Sequence, residues 1–322
     1  MMVNDDTKKI SQALKVATLY YRDGYNQQDI ATELNISRAT VSRLLQFGRD
    51  QGLVTVKINN PLAPLQQLES QLLAKYPTLK KIIIVPGKKD PLEEVGVAGA
   101  HYLEEIVQDN DIIGLGWGRT VYQVALHIAP KDVSGVKVVQ MKGSMANTET
   151  RNYAFETVNT FASAFSTPPQ YLPVPVIFDH AQTKELVAND THIKYILKLG
   201  READIAMFTV GTVRDSALLF RLGYFKEHEQ QVLQKAAVGD VFSRFIDSQG
   251  RVVNRDINRR TIGIDLPELK KKKHSILVAA NVAKVPAING VLTAGYANTL
   301  VIDQESSHLI LVERGRIRAA PH

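Results

Sequence analysis

The sequence predicts an α/β protein in which an N-terminal winged helix-turn-helix precedes a larger domain built on a mostly parallel sheet. Three observations predict this. The apolar runs KIIIV (81–85), DIIGLG (111–116), VKVVQM (136–141), ADIAMFTVG (203–211), HSILVAA (274–280) and TLVID (299–303) alternate with amphipathic helical stretches, as strands buried on both faces do between crossover helices. Up to Ile58 the chain instead shows short helical patterns that end in the alternating LVTVKI. Between the two textures lies NNPLAP, whose prolines and asparagines break periodicity. The expected organisation is one domain over 1–58, a linker over 59–64 and a second domain over 65–322.

A length of 322 residues suits two domains. With 44% hydrophobic and 22% charged residues the composition is globular, which excludes disordered and collagen-like classes. The chain has no cysteine, so disulfides, thiolate metal sites and thiol nucleophiles are excluded. No apolar run approaches the roughly 20 residues that span a bilayer, and the N-terminus lacks the apolar centre of a secretory signal. A soluble, cytoplasmic protein with no membrane association is expected. The eight histidines show no metal-ligand spacing, so neither a metal nor another cofactor is expected. The net charge of +6 permits polyanion binding without requiring it. Residues 1–60 carry eight basic and six acidic side chains, so a nucleic-acid reading must rest on their placement.

That placement is in GYNQQDIATELNISRATVSRLLQFGR (24–49). Gln27 to Leu34 suits a short helix with Ile30, Ala31 and Leu34 on one face, the small Ala31 allowing a second helix to cross closely. Asn35 tolerates a left-handed turn, and Ser37 can cap the next helix. There Val41, Leu44 and Leu45 form a buried stripe, while Arg38, Ser42, Arg43, Gln46 and Arg49 recur on the opposite face. With Ser37, Arg38, Thr40, Ser42 and Arg43 near the start of that helix and Gln28 on the preceding one, the pattern fits base-edge and phosphate contact in a DNA major groove. A solvated surface helix is the alternative. Val54 to Ile58 would be half of a small β-wing, with Lys57 at a phosphate or simply on a stabilising strand.

The second constellation is Gly114-Leu115-Gly116-Trp117-Gly118-Arg119-Thr120, between an apolar run and a helical stretch. Glycines at such a turn let backbone N–H groups approach an anion, helped by the helix dipole, and Arg119 and Thr120 can add donors around Gly116 and Gly118. The spacing is neither the dinucleotide fingerprint nor a Walker loop, and a plain tight turn is the alternative. Lys142, followed by Gly143, ends another apolar run. Ligands of open α/β sheets sit outside the carboxyl ends of the strands, and a desolvated lysine there can be a Schiff-base nucleophile, a phosphate partner or merely solvated. Lys284 is a candidate phosphate ligand and Asp240 a candidate acceptor for sugar hydroxyls; either can instead be a surface charge. Lys270 to Lys273 reads as a solvated loop.

In order, YYRDGYNQQDIATELNISRATVSRLL, IGLGWGRT, VVQMKGSM, LPVPVIFD, AAVGDVFSRFIDSQG and AANVAKVPAI resemble the SorC family of bacterial sugar-responsive transcriptional regulators across essentially the whole chain. The resemblance implies a helix-turn-helix and an effector domain similar to sugar-phosphate isomerases, assembled as a homo-oligomer, dimer or tetramer, on operator DNA. It implies that the glycine-rich turn and Lys284 hold a phosphorylated sugar. The QMKG segment further resembles members whose matching lysine forms a Schiff base with deoxyribose-5-phosphate. One departure stands out: the family often has A-G-G-x-x-K where this chain has Ala279-Ala280-Asn281-Val282-Ala283-Lys284. The expected function is a repressor of sugar or deoxyribonucleoside catabolism genes that its effector releases from DNA, and not an enzyme. The alternative is a sugar-phosphate isomerase or Schiff-base aldolase with an appended DNA-binding module.

Overall fold

A computed structural model of the chain describes residues 2–56, 63–144 and 153–312. The contacts divide it into two compact units, Met1–Pro61 and Leu62–His322.

In the first unit, α1 (Met2–Ala17) continues into a wider helical turn at Thr18–Arg22, followed by α2 (Gln27–Glu33) and α3 (Arg38–Asp50). Asn26 caps α2 by accepting from the amides of Gln28 and Asp29. The chain then reverses through Asn35, whose φ is 52°, and Ser37 Oγ accepts from the Thr40 amide at 3.1 Å to cap α3. Ala13 and Val16 of α1, Ile30 and Ala31 of α2, and Val41, Leu44 and Leu45 of α3 form one core. Its closure at Ala31 is what the small residue permits. The wing is not seen: Val54 to Val56 form no strand. Val54 instead donates its amide to Gly48 O at 3.1 Å, folding back on the end of α3, and no strand of this unit is present among the described residues to pair with it. Lys57 and Ile58 lie outside the described residues.

The second unit opens with α4 (Ala63–Lys75), so Ala63 and Pro64, expected in the linker, are already helical; proline is well tolerated in a helix's first turn. A seven-stranded sheet follows: β1 (Lys81–Val85), β2 (Ile112–Leu115), β3 (Lys137–Gln140), β4 (Pro169–Gln170), β5 (Ile205–Phe208), β9 (His274–Ala279) and β10 (Thr299–Asp303). Its order is β1-β10-β9-β5-β2-β3-β4, with every pairing parallel. A small antiparallel sheet joins β6 (Val210–Gly211), β7 (Gly239–Val241) and β8 (Arg244–Ile246).

The strands alternate between two cores, as their period of two dictates. Ile113, Leu115, Ile205, Met207, Ile276, Val278 and Val301 pack on one face with α5 (Pro91–Ile106), α6 (Arg119–His127) and α7 (Ala154–Ala164). Ala206, Phe208, Leu277, Ala279, Leu300 and Ile302 face the other way. They meet α4 and the last two helices. The remaining helices are α8 (Ala181–Ala188), α9 (Thr191–Glu202), α10 (Leu218–Arg221), α11 (Glu227–Ala236), α12 (Arg255–Arg260), α13 (Leu266–Leu269), α14 (Val285–Thr293) and α15 (Gln304–Val312).

Within the lysine run at 270–273, Lys272 departs from the solvated-loop expectation. It is buried, and its ammonium donates to the carbonyls of Gly200 at 3.0 Å and of Arg201. Those are last-turn carbonyls of α9, where a cation offsets the helix dipole. No helix among the described residues is long and apolar enough to cross a membrane.

Candidate functional site

Four parallel strands at the middle of the sheet, β3, β2, β5 and β9, end beside one another, and the segments leaving their carboxyl ends enclose a cavity of about 530 Å³. Trp117, Gly118 and Arg119 come from the β2 end, Lys142 from β3, Thr209 to Thr212 from β5, and Asn281, Ala283 and Lys284 from β9. Asp240 of the small sheet completes the floor, and Arg214 and Arg221 add charge to the wall. Five cationic side chains and one carboxylate thus line it, a balance that favours an anionic ligand.

Lys142 is 6% exposed. Its backbone is clamped by a bridge to Gly263, where Ile264 donates its amide to Met141 O at 2.8 Å. Gly263 has φ 142°, and a Cβ there would lie 2.8 Å from Lys142 Cα, so only glycine lets the two segments approach. Arg244 holds that segment in turn, donating to the carbonyls of Gly263 and Ile264 and pairing with Asp265 at 2.7 Å. The Lys142 ammonium lies 3.6 Å from the centroid of the Trp117 ring. Trp117 Nε1 donates to Gly143 O at 2.8 Å, fixing the ring. Burial pulls the Lys142 pKa down to about 8, against the opposing pull of Asp240.

Lys284 donates to Thr120 Oγ1 at 2.9 Å and Thr209 Oγ1 at 3.3 Å. Burial brings its pKa to about 8 too, Asp240 opposing and Arg119 reinforcing. The same burial pushes Asp240 up, while Lys142, the Ser243 amide and Lys284 act to hold it down. These groups form one electrostatic unit. Asp240 can stand where it does because Gly211 faces it: a Cβ on Gly211 would fall 1.9 Å from Asp240 Oδ1.

The structure thus brings together Gly118, Arg119, Lys142, Asp240 and Lys284 of the residues singled out by sequence. Gly116, Thr120 and Gly143 are outside the cavity lining, each for a packing reason. A Cβ on Gly116 would press on Phe208 and Phe242, and one on Gly143 on the carbonyls of Val174 and Pro175. Thr120 is buried and acts on Lys284 from behind. Asn281 adopts φ 92°, and its side chain accepts from the Ala283 amide at 2.9 Å. The sequence assigns no role to Thr209, Arg214 and Arg221 of the lining, nor to Trp117 and Ser243, which contact the Lys142 ammonium; for Thr209 the TVGT following the β5 run was the available signal. Among the described residues no cluster of His, Asp or Glu is arranged to hold a metal.

In the first unit, Gln28, Ser37, Arg38, Ser42 and Arg43 are exposed and Thr40 half-buried. Ser37 is engaged as the cap, also within 2.8 Å of Thr40 Oγ1. Arg43 folds back on Ala39 O at 3.3 Å. Arg49 pairs with Gln46 at 2.7 Å, so the open polar edge of α3 is at its start.

Residues 60–312 match the family model described as "Putative sugar-binding domain". The chain is 46% identical over 309 residues to the deoxyribonucleoside regulator of Bacillus subtilis (strain 168), covering 95% of this chain and 99% of that one. It is 30% identical over 316 residues to the sorbitol operon regulator of Klebsiella pneumoniae, covering 96% and 99%. The crystal structure of the full-length sorbitol operon regulator SorC from Klebsiella pneumoniae superposes with a TM-score of 0.72 at 28% identity, covering 94% of this chain and 99% of that one.

Proposed function

The chain belongs to the SorC family of transcriptional regulators, and from that premise we propose that it is a repressor released from operator DNA by a phosphorylated deoxypentose captured at Lys142. Its relatives are regulators and not enzymes, and regulation here needs only differential binding between two states of the protein. The first unit reads DNA in the cytoplasm. Arg38 and Arg43 reach base edges or phosphates from the start of α3, Ser42 and Thr40 add donors, and Gln28 touches the backbone from α2. The second unit binds the effector and joins copies of the chain into a homo-oligomer, a dimer or tetramer, whose geometry the effector shifts.

The observation that carries the effector reading is the buried Lys142, its pKa near 8, at the floor of a cationic cavity. A lysine so placed is neutral often enough to attack an aldehyde. The phosphate lies against the Gly118–Arg119 turn with Lys284, and Asp240 accepts a sugar hydroxyl. The 46% identical relative is named for deoxyribonucleosides, which favours deoxyribose-5-phosphate. Borohydride should trap that sugar on wild-type protein at Lys142. Lys142→Arg keeps the charge and cannot form an imine, so an undiminished effector response in that variant would refute covalent capture.

A further inference from the structure

Phe242 and Ser243 make up the whole loop of the β7–β8 hairpin, with Val241 paired to Arg244 on either side. Their φ angles are 49° and 65°. A two-residue loop with both residues left-handed is ordinarily given to Asn-Gly or its like, because side chains resist that conformation. The hairpin pairing itself has no need of Phe and Ser, but the neighbourhood does. Phe242 stacks obliquely on Phe208, ring centroids 5.2 Å apart, seating the turn on the core. Ser243 has no exposed surface, and its two polar groups go to two different partners. Its amide donates to Asp240 Oδ2 at 3.0 Å, and its hydroxyl accepts from Lys142 Nζ at 3.3 Å.

We propose that Ser243 is the positioning residue for covalent capture, holding the Lys142 amine and the Asp240 carboxyl toward the same point of the bound aldehyde. This rests on the Schiff-base reading above. Lys142 must attack as a neutral amine, and burial disfavours the charged form of both it and Asp240, so the reacting state is the one with Lys142 deprotonated and Asp240 protonated. The amine then forms a C–N bond with the aldehyde carbon. The π pair moves to oxygen, which takes a proton from the nitrogen to give the carbinolamine. Its hydroxyl leaves as water with the proton of the Asp240 carboxyl, while the nitrogen lone pair closes the C=N bond. The products are a protonated imine, one water and the Asp240 carboxylate beside the new cation. Without the Ser243 hydroxyl the Lys142 amine loses its hydrogen-bond acceptor and keeps only the face of the Trp117 ring, though its backbone stays clamped by Gly263.

The test uses the full chain, mixed rapidly with deoxyribose-5-phosphate, quenched with borohydride at intervals and weighed as intact protein, which gives a half-saturating concentration and a limiting capture rate. In Ser243→Ala the limiting rate should fall by about tenfold or more, with half-saturation moving less than about twofold. Binding of 2-deoxyribitol 5-phosphate, which has no aldehyde, should be unchanged. Ser243→Gly relieves the left-handed backbone and should melt higher than wild type, yet capture as slowly as Ser243→Ala. Wild-type capture rates in Ser243→Gly would overturn the proposal, since the turn alone would then suffice. So would an equal loss of aldehyde and alcohol binding in Ser243→Ala, which marks a merely structural role. Failure of the wild type to be trapped at all would instead remove the Schiff-base reading, and this proposal with it.

Discussion

Lys284 holds its proton less tightly in the folded chain than an exposed lysine does. Its folded pKa of about 8 lies below the ordinary 10.5, so between those values the unfolded chain binds more protons and this group makes stability rise with pH. The denaturation midpoint should therefore climb more steeply from pH 8 to 10 in wild type than in Lys284→Met. A phosphate dianion beside Lys284 reverses the shift, so ligand binding near pH 8.5 should take up protons. Calorimetry in buffers of different ionisation enthalpy measures that uptake, and Lys284→Met should reduce it. Lys142, Asp240 and Lys284 were legible because each stands where an apolar run meets charge. Trp117, Arg214, Arg221 and Ser243 were not, because what makes them matter is a neighbour far along the chain, as Ser243 has in Lys142, 101 residues away.

Element boundaries followed the same logic. The run KIIIV became β1 and TLVID became β10 residue for residue, since continuous β-branched runs between helices have few other uses. The small sheet that delivers Asp240 is not legible in the sequence because its strands are two or three residues long and show no period. At the start of α3, Ser37 is the cap and also stands on the edge proposed to face DNA, and two variants separate the roles. Ser37→Ala should cost about 1 kcal/mol of stability through the lost cap. Ser37→Asp should keep the stability and lose operator affinity, because it sets a negative charge against phosphate; a gel-shift titration at fixed salt checks it. At the turn before α14, Asn281 occupies its own neighbour's amide. Asn281→Gly should free the Ala283 N–H and tighten inorganic phosphate binding, whereas Asn281→Ala, forced to φ 92°, should destabilise by about 1–3 kcal/mol.

The whole molecule divides where its cores divide. Buried residues 13–45 cluster only with one another, and the four other clusters draw on residues from 72 onward. A fragment of residues 62–322 should therefore fold, bind deoxyribose-5-phosphate as the full chain does and fail to bind operator DNA. Calorimetric titration of the fragment decides it: an insoluble or effector-blind fragment would mean that the units depend on each other. The two-layer cover of the sheet was readable from the alternation of continuous apolar runs with amphipathic helical stretches. The cavity was not, because parallel order brings together β3, β2, β5 and β9, whose contributions span residues 117 to 284.

Segments so distant in the chain meet only when the domain is folded, so a ligand resting on all of them acts as a removable staple. At a hundredfold excess over its dissociation constant such a ligand adds about 2.7 kcal/mol to the folded state, which cuts the unfolded population roughly a hundredfold. Cellular proteases draw on that population. If the proposed sugar phosphate is that ligand, it sets how long each regulator survives as well as whether it holds its operator, and cells rich in the sugar should carry more of the protein that senses it.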